Sequence, residues 1–274
     1  MTDLIDRLLA AANPVPTPDA PGNADADAAL QRIVSSAAAV DQRVWQFHPH
    51  LTLTVQDDIG ILHFDDGHAN VLNRKILNSF QDAVAFSDAD PGIRALVLAG
   101  RSGFFSAGLD RDQVFGPDAL PLVTDLARLA RMLFALDKPV VAACQGHAIA
   151  AGAVLLLVSD VRVGAAVPCR IGLNEAAIGL PLPCWITDLA RSRLATRDFQ
   201  RATAAAQMFD PAGAVSAGFL DHLADGDVVD HAVKQAAQLT RLDNAIYTET
   251  IQRTRADVLA AMDRFIADPA GLGI

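Results

Sequence analysis

Pro139-Val140-Val141-Ala142-Ala143-Cys144-Gln145-Gly146-His147-Ala148-Ile149-Ala150-Ala151-Gly152 runs from an apolar segment through small residues into a second apolar stretch. The first segment is short, β-branched and uncharged, which predicts a strand buried on both faces. Ala150 to Val158 is apolar all round and predicts a buried helix. Small side chains between them let a backbone approach a ligand closely. The start of a helix offers free N–H donors and a favourable dipole, the equipment for holding a carbonyl oxygen that gains charge. Close helix–strand packing also requires small residues, so this stretch alone leaves both readings open.

The same alternation spreads outward. Ile93 to Ala99 is another short apolar run ending at Gly100, and Val161 to Val163 is a third. Asn73 to Ser87 and Pro121 to Leu136 carry helical periodicity between them. Leu51 to Val55 and Ile59 to Phe64 flank Asp57-Asp58 as a hairpin would. Strands alternating with helices predict an α/β domain with parallel pairing. From Trp185 onward the pattern is helical apart from a turn at Asp210-Pro211. Leu4, Ile5, Leu8 and Leu9 share one helical face and suggest a short docking helix. Residues 13–29, rich in Pro, Ala, Asp and Gly, read as a linker.

Composition bounds the function. The 274 residues are 51% hydrophobic and 20% charged, which excludes a disordered chain. A formal charge of −10 argues against a nucleic-acid partner. Three cysteines form neither a disulfide framework nor paired zinc spacing. The N-terminus lacks a basic segment before its apolar residues, and no apolar run is long enough to span a bilayer, so the expected location is the cytoplasm. Of the 32 acidic residues only Glu175 and Glu249 are glutamates.

Two further segments could carry chemistry. Gly100-Arg101-Ser102-Gly103-Phe104-Phe105-Ser106-Ala107-Gly108-Leu109-Asp110 follows a predicted strand. It has neither a Walker lysine nor a nucleophile-elbow frame. It could expose backbone N–H groups near Leu109, or serve only as a Gly-rich turn. Ile171-Gly172-Leu173-Asn174-Glu175-Ala176-Ala177-Ile178-Gly179-Leu180-Pro181-Leu182-Pro183 places Glu175 alone in an uncharged stretch. A desolvated carboxylate there would titrate high and suit general acid–base work. An exposed loop glutamate, or one neutralised by Arg170, fits the segment equally.

In order and spacing these segments resemble the crotonase superfamily, the enoyl-CoA hydratase/isomerase family. The resemblance runs from about Leu51 to Asp227. It is carried by Asp66-Gly67-His68-Ala69-Asn70-Val71-Leu72, Ala95-Leu96-Val97-Leu98, Phe104 to Asp110, Lys138 to Ala143 with Gln145-Gly146-His147-Ala148, and Asp160. Gly172-Leu173-Asn174-Glu175 with Gly179 and Pro183, and Ala214 to Asp221, complete it.

The resemblance implies an α/β fold, a spiral of ββα units followed by a C-terminal helical region. The corresponding parts are an N-terminal extension at 1–45, a spiral core at 46–195 and a trimerisation region at 196–274. It implies an acyl-CoA substrate, with coenzyme A part of that substrate and no separate cofactor or metal, in a homotrimer or hexamer. Backbone N–H groups of Leu109 and Ala151 match the donors that hold the thioester oxygen. His68, Ala69 and Asn70 match the early CoA contact, with Arg101 near the entrance. Ala107, Gly108, Asp110, Gly146 and His147 belong to the implied substrate site, and Ser106 to Leu122 are expected to shape the acyl pocket.

The hydratases of this family pair two glutamates. Here Glu175 matches one, and Val154 occupies the place of the other. A single carboxylate suits an isomerase that moves a proton from C2 to C4 of a 3-enoyl-CoA. The segment around Glu175 is similar to the mitochondrial Δ3,Δ2-enoyl-CoA isomerases, with Val154, Leu155 and Trp185 then expected to exclude water. Trp185 and Cys184 read equally as packing residues. Two alternatives stand: a hydratase or hydrolase recruiting water through His147, Asp110 or Asp188, and a catalytically silent acyl-CoA-binding subunit. A silent relative has no use for a glutamate in so aspartate-rich a chain.

Overall fold

The computed structural model describes residues 43–270. The helix and linker expected within residues 1–29 lie outside the described residues. The seven-stranded main sheet begins with an antiparallel meander: β1 (Arg43–His48), β2 (Leu51–Gln56) and β3 (Ile59–Phe64). It continues in parallel through β5 (Ala95–Ala99), β8 (Val140–Cys144), β10 (Val161–Gly164) and β12 (His222–Leu223). The predicted hairpin is therefore present, and β5 and β8 are buried at every residue, as uninterrupted apolar runs require.

Each turn of the spiral leaves the main sheet and adds a second short strand before returning. Thus β5 is followed by β6 (Gly103–Ser106), β8 by β9 (Gly146–Ile149), and β10 by β11 (Ile171–Gly172). These second strands form their own parallel sheet, ordered β11-β9-β6. Their backbones lie very close: a Cβ on Gly146 would sit 2.1 Å from the Gly103 carbonyl oxygen. Only glycine fits there. A third pair joins β4 (Val71–Leu72) to β7 (Gly108–Leu109) in parallel.

Helices close the layers. In α1 (Arg74–Ala89) the Asn73 side chain caps the first turn, and Ile76, Leu77, Phe80 and Val84 face the core. Lys138, one of three lysines, donates to the carbonyls of Ser87, Asp88 and Asp90 and so closes the other end of α1. Next come α2 (Arg111–Val114), α3 (Ala119–Phe134) and α4 (Ala151–Leu157), the last buried throughout. The chain ends in α5 (Cys184–Arg193), α6 (Thr196–Ala202), α7 (Pro211–Ala217), α8 (Val228–Leu239) and α9 (Asn244–Ala267).

The C-terminal helices are anchored by buried charge. Arg255 of α9 pairs with Asp160 and donates to the Phe134 carbonyl. Asp160 in turn accepts the Val140 N–H at 2.7 Å. Removing either partner would strand a buried charge, typically at several kcal/mol.

Two features depart from the expected pattern. The sheet begins at Arg43, with β1 alternating inward and outward faces before the hairpin. The region after Trp185 is interrupted by β12, which extends the sheet beside β10. Two residues cannot show a period, so this strand is set by tertiary pairing alone. Among the described residues no helix is long and apolar enough to cross a membrane.

Candidate active site

Glu175 opens a short 3₁₀ turn, Glu175–Ile178, that Gly179 closes at φ +81°. Its residue is only 9% exposed, and its Oε2 has no hydrogen-bond partner. Burial pushes its carboxyl from 4.5 up to about 7, opposed only by a bond from its own backbone N–H. No neighbouring cation restores the ordinary value. The carboxyl therefore titrates in the range a general base needs near neutral pH.

Glu175 lies on the wall of a cavity of about 220 Å³. Ala107, Leu109, Ala150, Ala151 and Asn174 share that wall. Most of the remainder is apolar, supplied by Val114, Phe115, Val123, Leu126, Ile178, Leu180 and Ile186. Asn174 also presents a buried Oδ1 with no partner.

Leu109 and Ala151 are brought together by Gly108. At φ +95°, a Cβ on Gly108 would lie 2.8 Å from the Ile149 carbonyl oxygen and 3.4 Å from the Ala151 nitrogen. The two backbones consequently touch where the cavity begins. Ala151 is the first residue of α4, so its N–H has no helical acceptor four residues earlier. The flanking donors of β7 are committed: Ala107 N–H to the Ala69 carbonyl, Gly108 N–H to the Ser106 hydroxyl, and Asp110 N–H to the Leu72 carbonyl. Ala150 holds φ +52° and ψ −117°, a region that side chains avoid. That strain aims the Ala151 N–H.

The loop Asp65 to Asn70 supports this wall from outside. Asn70 is fully buried, and its amide donates to the carbonyls of Phe64 and Phe105 at 2.7 and 3.2 Å. Asp66 accepts from the N–H groups of His68, Asn70 and Val71. Arg101 pairs with Asp65 and donates to the His68 carbonyl, which ties the loop to β6.

Four of the residues singled out from sequence share the cavity wall: Glu175, Leu109, Ala151 and Ala107. His68 and Ala69 sit in the supporting loop. Asp110 caps α2 by accepting the Gln113 N–H. Gly146 packs on Gly103, and His147 Nδ1 accepts the Arg170 N–H while its ring lies 4.9 Å from Phe104. Val154 and Trp185 are fully buried in the core and off the wall, with Trp185 packed near Phe265. Asp188 lines a separate surface hollow with Arg191 and Arg264. Arg111, Val114 and Phe115 fall within Ser106 to Leu122, the stretch expected to shape the acyl pocket, whereas Ile178 and Leu180 were not expected on the wall. Phe115 and Ile178, at 51% and 38% exposed, are large apolar side chains left partly in solvent at this cavity.

A larger cavity, about 620 Å³, is open and polar. Its Arg197 and Arg201 are both engaged with the buried Asp198. The smaller cavity, with a desolvated carboxyl on an apolar wall, is the chemically equipped one.

Comparison with known proteins bears on the family and the fold. Residues 54–265 match the profile of the enoyl-CoA hydratase/isomerase family. Mitochondrial enoyl-CoA delta isomerase 1 of Mus musculus is 28% identical over 176 residues, a stretch that covers 62% of this chain and 61% of that protein. The similarity thus spans less than two thirds of that isomerase's length. A probable enoyl-CoA hydratase of Bacillus subtilis is 27% identical over 134 residues, covering 47% of this chain and 52% of its own. Among solved structures, an enoyl-CoA hydratase/isomerase family protein from Pseudomonas syringae superposes with TM-score 0.79 at 31% identity, over 84% of this chain and all of that one.

Proposed function

The chain belongs to the enoyl-CoA hydratase/isomerase family, and we propose that it shifts the double bond of an enoyl-CoA with Glu175 as its single acid/base. In this reading the thioester oxygen of a 3-enoyl-CoA accepts hydrogen bonds from the backbone N–H groups of Leu109 and Ala151. The Glu175 carboxylate takes a proton from C2. Electrons move toward the thioester oxygen, giving a dienolate whose negative charge the two donors stabilise. Glu175 then returns the proton to C4, and the double bond lies between C2 and C3. One such donor is worth about 3–4 kcal/mol in the transition state. Positioned proton transfer contributes on the order of 10²–10⁴ in rate.

The observation that carries this reading is the lone carboxyl: among the described residues, Glu175 is the only acidic one on the wall of the cavity. Val154, at the position where the hydratases of the family hold their other glutamate, is an aliphatic side chain buried in the core. The candidates for activating water, His147, Asp110 and Asp188, all lie off the wall. An apolar wall also discourages water from adding to the intermediate. The proposal includes an acyl-CoA that brings its own coenzyme A, with the His68-Ala69-Asn70 backbone along the CoA moiety. It further includes assembly as a homotrimer or hexamer and a cytoplasmic location.

Glu175→Gln keeps the side chain's shape and removes the base. The expected result is loss of 3-enoyl-CoA isomerisation by at least about 10²-fold with acyl-CoA binding retained. A variant that turned over at the wild-type rate would mean that the base lies elsewhere. Binding without turnover by the wild-type protein would favour a silent subunit.

A further inference from the structure

Apart from Glu175 and Asn174, one polar side chain among the described residues interrupts the cavity wall: Arg111. We propose that Arg111 receives an anionic group at the far end of the acyl chain, so that the substrate is the monothioester of a dicarboxylic acid; this rests on the acyl-CoA reading above. Arg111 stacks on Phe115, its guanidinium carbon 5.7 Å from the ring centroid. Among the described residues no carboxylate pairs with it. Other arginines here do pair with aspartates, Arg74 with Asp125, Arg101 with Asp65 and Arg162 with Asp221, while Arg191, like Arg111, rests on a phenylalanine instead.

The local helix gives no reason for the cation. α2 is a single turn, Arg111–Val114, whose dipole is too short to call for a cation at Arg111. Stacking on an aromatic face fixes a guanidinium plane while leaving its in-plane N–H donors free. Those donors match a carboxylate in two parallel hydrogen bonds. Arg111 and Glu175 share the wall, and among the described residues no ion pair or hydrogen bond joins them, which leaves the guanidinium available to a second part of the ligand. The apolar side chains of Val114, Phe115 and Ile178 provide contact for the methylenes between the two ends.

The anion could come from the acyl terminus or from a CoA phosphate, and binding measurements distinguish them. The full chain is titrated with adipoyl-CoA, hexanoyl-CoA, suberoyl-CoA, octanoyl-CoA and free CoA, using calorimetry at low ionic strength. These thioesters are saturated, so their binding does not depend on the base. The expected result is a preference of about tenfold or more for the ω-carboxylate in at least one pair, weakening as salt is added. Arg111→Gln should bring that ratio close to one, and Arg111→Lys should keep part of it. Equal or tighter binding of the uncharged thioesters by the wild type overturns the proposal. So does an Arg111→Gln variant that weakens every ligand alike, free CoA included, because the guanidinium then serves a phosphate. Failure of the isomerase reading shows separately, as absence of turnover by a protein that still discriminates between these ligands. Binding of none of them would overturn both.

Discussion

The loop Asp65 to Asn70 and the cavity wall at Asn174-Glu175 stand in contrast. Each buries a polar side chain, Asn70 in the loop and Glu175 on the wall. In the loop that polarity is spent. Asn70 donates to the carbonyls of Phe64, Phe104 and Phe105 and accepts the Asp66 N–H, Asp66 accepts three N–H groups, and the Ser106 hydroxyl links the Asn70 carbonyl to the Gly108 N–H. On the wall, Glu175 Oε2 and Asn174 Oδ1 have no partner. The loop's hydrogen bonds hold a backbone in place, and its cost of burial is offset locally. The wall's cost is left standing, as is typical where a group must stay available to a ligand. Trp185 Nε1 is also unpartnered, but it is a neutral group in the core, away from the cavity.

The contrast predicts opposite responses to substitution. The largest concerns Glu175. Its unfolded carboxyl ionises near 4.5 and its folded one near 7, so above pH 4.5 ionisation increasingly favours the unfolded chain, and the penalty is complete above about pH 7. Glu175→Gln should therefore be more stable than the wild type by up to about 3 kcal/mol at pH 8, with the gain shrinking toward pH 4.5. Denaturant melts at several pH values read this directly. The same ionisation should give a wild-type kcat/KM that rises with pH through about 7.

Asn70→Ala should do the reverse. It leaves the Phe64 and Phe105 carbonyls short of a donor and removes the acceptor for Asp66, at a cost of about 2 kcal/mol in a urea melt. If it were neutral to stability, the loop would not be the scaffold described. The smallest effect is expected at Ala150. Ala150→Gly relieves the +52° backbone at the start of α4 and should add about 1 kcal/mol or less, glycine's greater unfolded-state entropy opposing the relief.

The regular elements were legible because they repeat. The uninterrupted apolar runs of β5 and β8 and the periodic face of α1 carry their own signal. The two-residue strands β4, β7, β11 and β12 do not, since each exists only through its partner. At the site, Glu175 stood out as a charge in an uncharged segment, and the backbone donors followed from the resemblance. Arg111 and Phe115 lie in the stretch expected to shape the acyl pocket, but a short, mixed-polarity segment does not tell which side chains face it; only the folded chain shows that these two wall the cavity. Trp185 shows the converse: beside a motif it reads either as a water-excluding site residue or as packing, and it lies in the core, where its volume and hydrophobicity fit.

The central claim is that this cavity performs one-carboxylate chemistry. Its most direct test is product analysis with two substrates, a 3-enoyl-CoA and crotonyl-CoA. The first should be converted to trans-2-enoyl-CoA, and the second should yield little or no 3-hydroxybutyryl-CoA. Prompt hydration of crotonyl-CoA, abolished by Glu175→Gln, would contradict the claim.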